Sequence, residues 1–312
     1  MSGVRLDESP PRGLLSVVVT VVAGGEAVAS LLDALANQVD PPAMEILVPY
    51  DDSVPEVGEL ARRFPAARFL SLGQLRTAAP IATAAGQHEL YDRRRSAALR
   101  VASGELVAIV EDRGIPRPDW ARTAVTLHQA PWAVIGGAIE PSTTTRLGWA
   151  LHVCDFSRYG LPFESRAVEW VSDVNVVYKR RAIDSTRQIW QDRFHEPLVH
   201  WDLMKRGETL YLANSLVVDH HRPPSTLGRA LAERFHWGRL FGHIRAREVG
   251  AGRRFALIAA SPLIPLVVLS RHCRTQARQG RGARVLRAVP LLSLLLGAWT
   301  AGEVWGYVTR RP

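Results

Sequence analysis

The sequence predicts an α/β fold: a doubly wound, Rossmann-like mixed sheet flanked by helices. Three observations predict it. Residues 15–22 (LSVVVTVV) form an unbroken, largely β-branched run, the composition of a strand buried on both faces. The first 72 residues alternate strand, helix, strand, helix, strand, as in a nucleotide-binding half. A further apolar run at 106–110 ends abruptly in Glu111–Asp112–Arg113. In open α/β sheets the ligand crevice lies at the carboxyl ends of the strands, so charge at that spot is placed for a site.

The elements follow in order. After the first strand, Gly24 and Gly25 turn the chain, and 26–38 has helical spacing through Val28, Leu31, Leu32 and Leu35. Residues 45–48 are a second strand leading into the turn-forming Asp51–Asp52–Ser53. Residues 57–64 are a short helix and 68–72 a third strand. The Ala-rich stretch 77–87 has no clear period. Residues 92–102 read as a helix stopped by Ser103–Gly104, and 106–110 as the fourth strand. Strands are expected at 133–139 and 171–178, with a loop and a helical piece across 143–166. Residues 197–206 are a helix with Pro197 at its first position and Gly207 just past its end. Short strands at 210–212 and 216–218 lead to His220. Residues 227–247 form a basic, aromatic helix, and 255–269 and 288–308 are apolar runs.

Composition narrows the class. The chain has 312 residues, 47% apolar and 22% charged, which suits a folded core. The formal charge of +9 is concentrated in the tail, where only Glu248 and Glu303 are acidic beyond Arg245. That placement argues against a nucleic-acid-binding fold, and no nucleic-acid partner is expected. Cys154 and Cys273 have neither metal spacing nor a disulfide framework and read as reduced thiols. Residues 1–13 read as a flexible N-terminus rather than a secretory signal.

Several residues carry chemistry. Glu111 and Asp112 close a buried strand, where carboxylates suit a divalent cation bound with a diphosphate leaving group. Glu196 precedes Pro197 at a helix start, where the helix end favours an ionised carboxylate, the species required of a general base. His195, His200 and Asp202 are alternatives for that role. Asp51 suits a nucleotide contact, and His220 a metal or phosphate contact.

In this order the residues resemble the family 2 glycosyltransferases from about Leu14 to His221. Residues 16–20 with the helix ending at Asn37–Gln38 are similar to that family's first βα unit. Residues 45–53 (EILVPYDDS) are similar to its nucleotide-binding segment. The most specific stretch is 94–119 (RRSAALRVASGELVAIVEDRGIPRPD), and 136–141 (GGAIEP) and 173–180 (DVNVVYKR) look like later strands. The resemblance implies a GT-A-like domain over 14–222 and transfer of a sugar, with inversion, from a nucleotide sugar to an acceptor hydroxyl. Asp51, Glu111, Asp112 and Arg113 would bind the nucleotide diphosphate. Glu111, Asp112 and His220 would hold Mg2+ or Mn2+, and Glu196 would be the base. Two departures stand out. Tyr50–Asp51 replaces a pair of acids, and Arg113 puts a cation at the third position of the acidic motif. A catalytically degenerate scaffold in a membrane glycan-assembly complex is therefore the rival. A sugar-phosphate nucleotidyltransferase is disfavoured, because 23–26 (AGGE) has no Lys or Arg to cradle a triphosphate. Residues 233–237 (ERFHW) faintly resemble an acceptor motif of membrane-bound members, which makes Arg234, Trp237 and Arg239 acceptor or diphosphate candidates.

The tail is expected to associate with membrane lipids: a basic amphipathic segment at 223–254, then apolar helices across 255–312. The run 255–269 is short for a span and holds Pro262 and Pro265, whereas 288–308 is long enough. Six arginines from Arg271 to Arg287 join them without an acid. Facing outward they would break the positive-inside tendency, so the first run is expected to be re-entrant or interfacial with its linker on the cytoplasmic side. A lipid-linked or polysaccharide acceptor at the cytoplasmic face of the cell membrane follows.

Overall fold

A computed structural model describes residues 14–311, the Glu248 side chain excepted. The expected flexible segment 1–13 lies outside the described residues. The chain divides into two compact units. The first comprises residues up to Leu75, Tyr91–Ala138 and Ser165–Val218. The second comprises Arg76–Leu90, Ile139–Glu164 and Asp219 onward.

Nine strands make one mixed sheet: β1 Leu15–Thr20, β2 Met44–Tyr50, β3 Ala67–Ser71, β4 Leu106–Glu111, β5 Gly114–Pro116, β6 Val134–Pro141, β7 Arg166–Val168, β8 Asn175–Lys179 and β9 Leu210–His220. Their order is β3-β2-β1-β4-β8-β6-β9-β5, with β7 paired to β9. β1, β2, β3 and β4 are parallel, and β8 lies antiparallel to β4. Every residue of β1 is buried, as its apolar run requires. At about 1.5–3 kcal/mol for each fully buried Val or Leu, β1 and β4 anchor the first unit.

The helices are α1 Gly25–Ala36, α2 Glu56–Glu59, α3 Ala84–Val101, α4 Trp120–Leu127, α5 Arg146–Phe156, α6 Arg180–Ser185, α7 Arg187–Trp190, α8 Glu196–Lys205, α9 Leu227–Glu248, α10 Ala251–Ala260, α11 Ile264–Arg278 and α12 Gly282–Thr309. The core of the first unit gathers β-strand valines with Trp190, Phe194, Val199 and Leu203 from the α7–α8 region. A polar peg holds the middle of the sheet. Asn175 of β8 donates from Nδ2 to the carbonyls of Ala138 and Leu216, both at 3.0 Å, and its Oδ1 accepts from Trp120 Nε1 at 2.9 Å. A Cβ on Gly137 would stand 2.1 Å from that Nδ2, so β6 needs glycine there.

In the second unit α5 is capped by Thr145, whose side chain accepts from Gly148 N. Its Trp149, Ala150, Leu151 and Val153 pack with Ala230 of α9 and with Val285, Ala288, Leu292 and Leu295 of α12. α9 and α12 approach backbone to backbone. A Cβ on Gly302 would lie 2.0 Å from the Phe235 carbonyl, and one on Gly238 2.2 Å from that of Trp299.

Several expectations are corrected. The helix expected at 92–102 begins at Ala84, absorbing part of the Ala-rich stretch. The strand expected at 171–178 starts only at Asn175, because the chain turns through Ser172. Residues 57–64 divide into a single α turn and the 3-10 turn Leu60–Arg62. The two strands expected at 210–218 are one, β9. The first apolar run is broken between α10 and α11, which meet at a 69° bend around Pro262.

Candidate functional site

The candidate site stands in the first unit, where β1 and β4 end side by side and Thr20 is in register with Glu111. Consecutive arginines of α3 tie these ends together. Arg94 is buried. Its Nε donates to Asp51 Oδ2 at 2.7 Å, Nη1 to the Val21 carbonyl at 2.8 Å, and Nη2 to Ser53 Oγ at 2.9 Å. Arg95 reaches the other way. Its Nε donates to Thr20 Oγ1 at 2.9 Å, while its outer nitrogens meet Asp173 at 2.6 Å and Asp92 at 3.5 Å. Glu111 and Glu196 add to the field that holds this buried guanidinium charged.

Asp51, expected to touch the nucleotide, is 2% exposed, and Arg94 engages its Oδ2. Burial works to raise its pKa, and the hydrogen bonds from Arg94 and Ser53 outweigh that and hold it below the ordinary carboxylate range. Its placed role is to fix the end of β2 against α3.

Asp112 is fully buried. Its Oδ2 accepts the backbone N–H groups of Val22, Ala23 and Gly24 at 2.8–3.0 Å, so it shapes the β1–α1 turn, where Gly24 takes φ +84°. Its Oδ1 is buried without a hydrogen-bond partner among the described residues. Burial and then the neighbouring Glu111 push its pKa up to about 6. Arg113 Nε lies 3.9 Å from Glu111 Oε1 and is itself a buried donor without a hydrogen bond among the described residues. Tyr91 senses the same charges, and its hydroxyl is pushed up to about 12, chiefly by burial.

Glu196 is the first residue of α8, after the cap residue His195. Its Oε2 accepts from Asp173 N at 3.2 Å, and its Oε1 lies 3.5 Å from His200 Nδ1. The expectation that the helix end keeps it readily ionised is overturned. Burial, then the charge of Asp173, push its pKa well above the ordinary value, outweighing the favourable backbone bond and Arg95. Of the alternatives, His200 is buried on Tyr178, with Nε2 2.8 Å from the hydroxyl, and burial drives its pKa down to about 3. Asp202 pairs outward with Arg206 at 2.6 Å.

His220 falls in the second unit, 4.8 Å from the Phe156 ring and 6.1 Å from that of His152. Among the described residues no group of three or more His, Cys, Asp or Glu is placed to hold a metal, so the expected trio of Glu111, Asp112 and His220 is not a ready-made cage. Glu111 with the orphaned Asp112 Oδ1 does fit a hard cation of the Mg2+ or Mn2+ kind, which takes one or two carboxylates and completes its shell with phosphate oxygens. Arg234, offered as an acceptor contact, is 6% exposed, ion-paired to Asp155 and stacked 4.5 Å over Trp299. Trp237 sits edge-on to His88 at 5.9 Å, and Arg239 Nε donates to the Arg311 carbonyl at 3.3 Å. These three are fixed within the second unit by partners of its own.

Arg95 and Asp173 were missed by sequence reasoning. The run of three arginines at 93–95 reads as a solvated helix face, and only the absence of room for them beside the apolar β1 and β4 would have signalled burial.

No protein-family description and no curated protein sequence matches the chain. Solved structures do. A mannosyltransferase from Pyrobaculum calidifontis, in complex with GDP-Man and Mn2+, is similar with a TM-score of 0.53 at 14% identity, over 96% of this chain and 90% of that one. TarS of S. aureus, residues 1–349 in complex with UDP-GlcNAc, has a TM-score of 0.47 at 14% identity, over 93% and 90%. The likeness to the mannosyltransferase extends over nearly all of both chains, and the fold of this chain is accordingly a glycosyltransferase fold.

Proposed function

We propose that the chain is a nucleotide-sugar-dependent glycosyltransferase that transfers a sugar, with inversion, to the hydroxyl of a lipid-linked or polysaccharide acceptor. The observation that carries this reading is the charge cluster at the carboxyl ends of β1 and β4. There Arg95 draws Asp92 and Asp173 together in the field of Glu111 and Glu196, with the orphaned donor of Arg113 beside Glu111. The mannosyltransferase of the same fold was solved with GDP-Man and Mn2+, which supports a nucleotide-sugar donor and a divalent cation here.

In this mechanism Glu196 in its ionised form takes the proton of the acceptor hydroxyl, and burial beside Asp173, which raises its affinity for that proton, also limits the ionised fraction. The hydroxyl oxygen attacks the anomeric carbon as the bond from that carbon to the diphosphate oxygen breaks. Negative charge then grows on the diphosphate, where the Arg113 guanidinium stabilises it. A Mg2+ or Mn2+ ion held by Glu111 and Asp112 would add Lewis-acid neutralisation of the same charge. The backbone N–H of Asp173 orients the base.

Glu196→Gln tests the assignment. Transfer should fall by about 10²–10⁴-fold while thermal-shift binding of the donor persists. Wild-type turnover in the variant would remove Glu196 from the mechanism. Absence of turnover by the wild-type chain with every common nucleotide sugar, beside a stable protein partner, would favour the scaffold reading.

Attachment to the cytoplasmic face of the membrane belongs to the same proposal. Among the described residues α12 is long and apolar enough to cross a membrane, and α10 with α11 passes the same test as a bent pair. Within the second unit, Arg281 pairs with Glu140 at 2.6 Å, Gln279 Nε2 donates to the Ser157 carbonyl at 3.2 Å, and Arg284 covers the Trp149 ring at 4.8 Å. This docking of the arginine-rich linker against residues 140–160 supports placing the linker on the same side as that segment, and therefore supports a re-entrant or interfacial first run.

A further inference from the structure

A pocket of about 440 Å³ opens in the second unit where the end of α9, the start of α10 and the end of α12 meet. Its lining includes His243, Arg247, Arg254 and Arg310, and among the described residues of the lining none is a carboxylate. His243 is 8% exposed, and its Nδ1 has no hydrogen-bond partner among the described residues. Ala251, also on the wall, is the first residue of α10. The cap residue Gly250 supplies no side-chain hydrogen bond, so the first-turn N–H groups of that helix lack an intrahelical acceptor. Three guanidinium groups and a bare helix start favour a compact anion, and a phosphate group satisfies them together.

The surroundings decide what carries that phosphate. Phe255, directly after Arg254, is 73% exposed, and Val308, two residues before Arg310, is 62% exposed. Trp305, further back on α12, is exposed as well. A free sugar phosphate gives these side chains nothing to bury against, whereas a phospholipid supplies an apolar phase directly below its headgroup.

We infer that this pocket binds the phosphate headgroup of an anionic membrane lipid, with Arg247, Arg254 and Arg310 as its cationic walls. The site is separate from the charge cluster of the first unit and does not rest on the sugar-transfer reading, since its occupancy is read without any donor.

The experiment is flotation of the full chain with phosphatidylcholine vesicles, with and without phosphatidic acid. The wild type should bind the anionic vesicles more tightly than the neutral ones, which the apolar tail alone can engage. Arg247→Gln with Arg254→Gln should weaken binding about thirtyfold, each arginine near a membrane contributing about fivefold. Arg62→Gln with Arg63→Gln, an equal loss of charge on exposed residues of the first unit, should leave binding unchanged. Should the first double variant fold poorly by circular dichroism, Arg310→Asn provides the test, with a loss of about fivefold. Asparagine tolerates the left-handed backbone of that position, φ 52°. Equal binding to neutral vesicles, an equal loss in the control variant, or release from vesicles by inorganic phosphate at matched concentration would each overturn the inference.

Discussion

Arg95 gives the sharpest test of how the charge cluster is held. Replacing it with glutamine removes a cation that is 5% exposed and stands 2.6 Å from Asp173 and 3.5 Å from Asp92. Two unit charges about 4 Å apart attract by about 4 kcal/mol at the effective dielectric that suits such sites. Losing one partner of a buried pair typically costs about 3–5 kcal/mol, because the remaining charge stays desolvated. Asp173 is 21% exposed and recovers some hydration, while Asp92 and the fields of Glu111 and Glu196 do not. A net loss of about 3–4 kcal/mol is a large part of the 5–15 kcal/mol that holds a typical domain together. Urea unfolding followed by tryptophan fluorescence should show the midpoint falling by about 1 M. Asp173→Asn should cost less, since Arg95 keeps Asp92. The double variant should be less harmed than the sum of the singles by about 1–3 kcal/mol. A midpoint within about 0.2 M of wild type, or simple additivity, would refute the view that Arg95 neutralises this cluster.

Other expectations follow from single sites. Arg113→Ala should weaken binding of a nucleoside diphosphate about tenfold in EDTA and make it more dependent on Mn2+, and calorimetry showing unchanged affinity in EDTA would exclude Arg113 from the diphosphate. His128, buried beneath the Val177 carbonyl, has its pKa pushed down by burial to about 4 from 6.5, so it is neutral in the fold while the unfolded chain takes up a proton below pH 6.5. Its contribution is therefore complete above pH 6.5 and is lost as pH falls toward 4; relative to His128→Gln, wild type should lose about 3 kcal/mol over that window, and parallel stability curves would contradict this. Gly302→Val should destabilise the second unit by about 3 kcal/mol or more, since its Cβ would meet backbone of α9 at 2.0 Å, whereas Gly297→Ala, with open space around the site, should raise the thermal midpoint through a gain of about 1 kcal/mol in helix propensity.

The sheet was legible because β1 and β4 are buried on both faces and so write continuous apolar runs, and because Gly24 marks the start of α1 while Pro197 and Gly207 mark the two ends of α8. The position of Glu111 at a strand end was legible for the same reason. The electrostatics were not. Whether Glu196 is readily ionised depends on Asp173, twenty-three positions earlier in the chain, and on burial that no local period encodes. Asp51 reads as a turn residue until Arg94 is seen to reach across from α3. The partnership of residues 139–164 with the tail was equally hidden, because α5 has no marked apolar face in sequence and buries Trp149 and Leu151 only through helices that come much later.

That late partnership constrains how the molecule is made. Trp149, Leu151 and Val153 leave the ribosome well before Val285, Leu292 and Leu295, the side chains that cover them. Throughout that interval the nascent polypeptide carries a greasy helix with nowhere to put it, the circumstance in which chaperone capture or lipid contact competes with folding. A fragment ending near Arg222 would make this condition permanent, so trimming the carboxyl end to obtain a tractable protein should yield inclusion bodies rather than an isolated catalytic half.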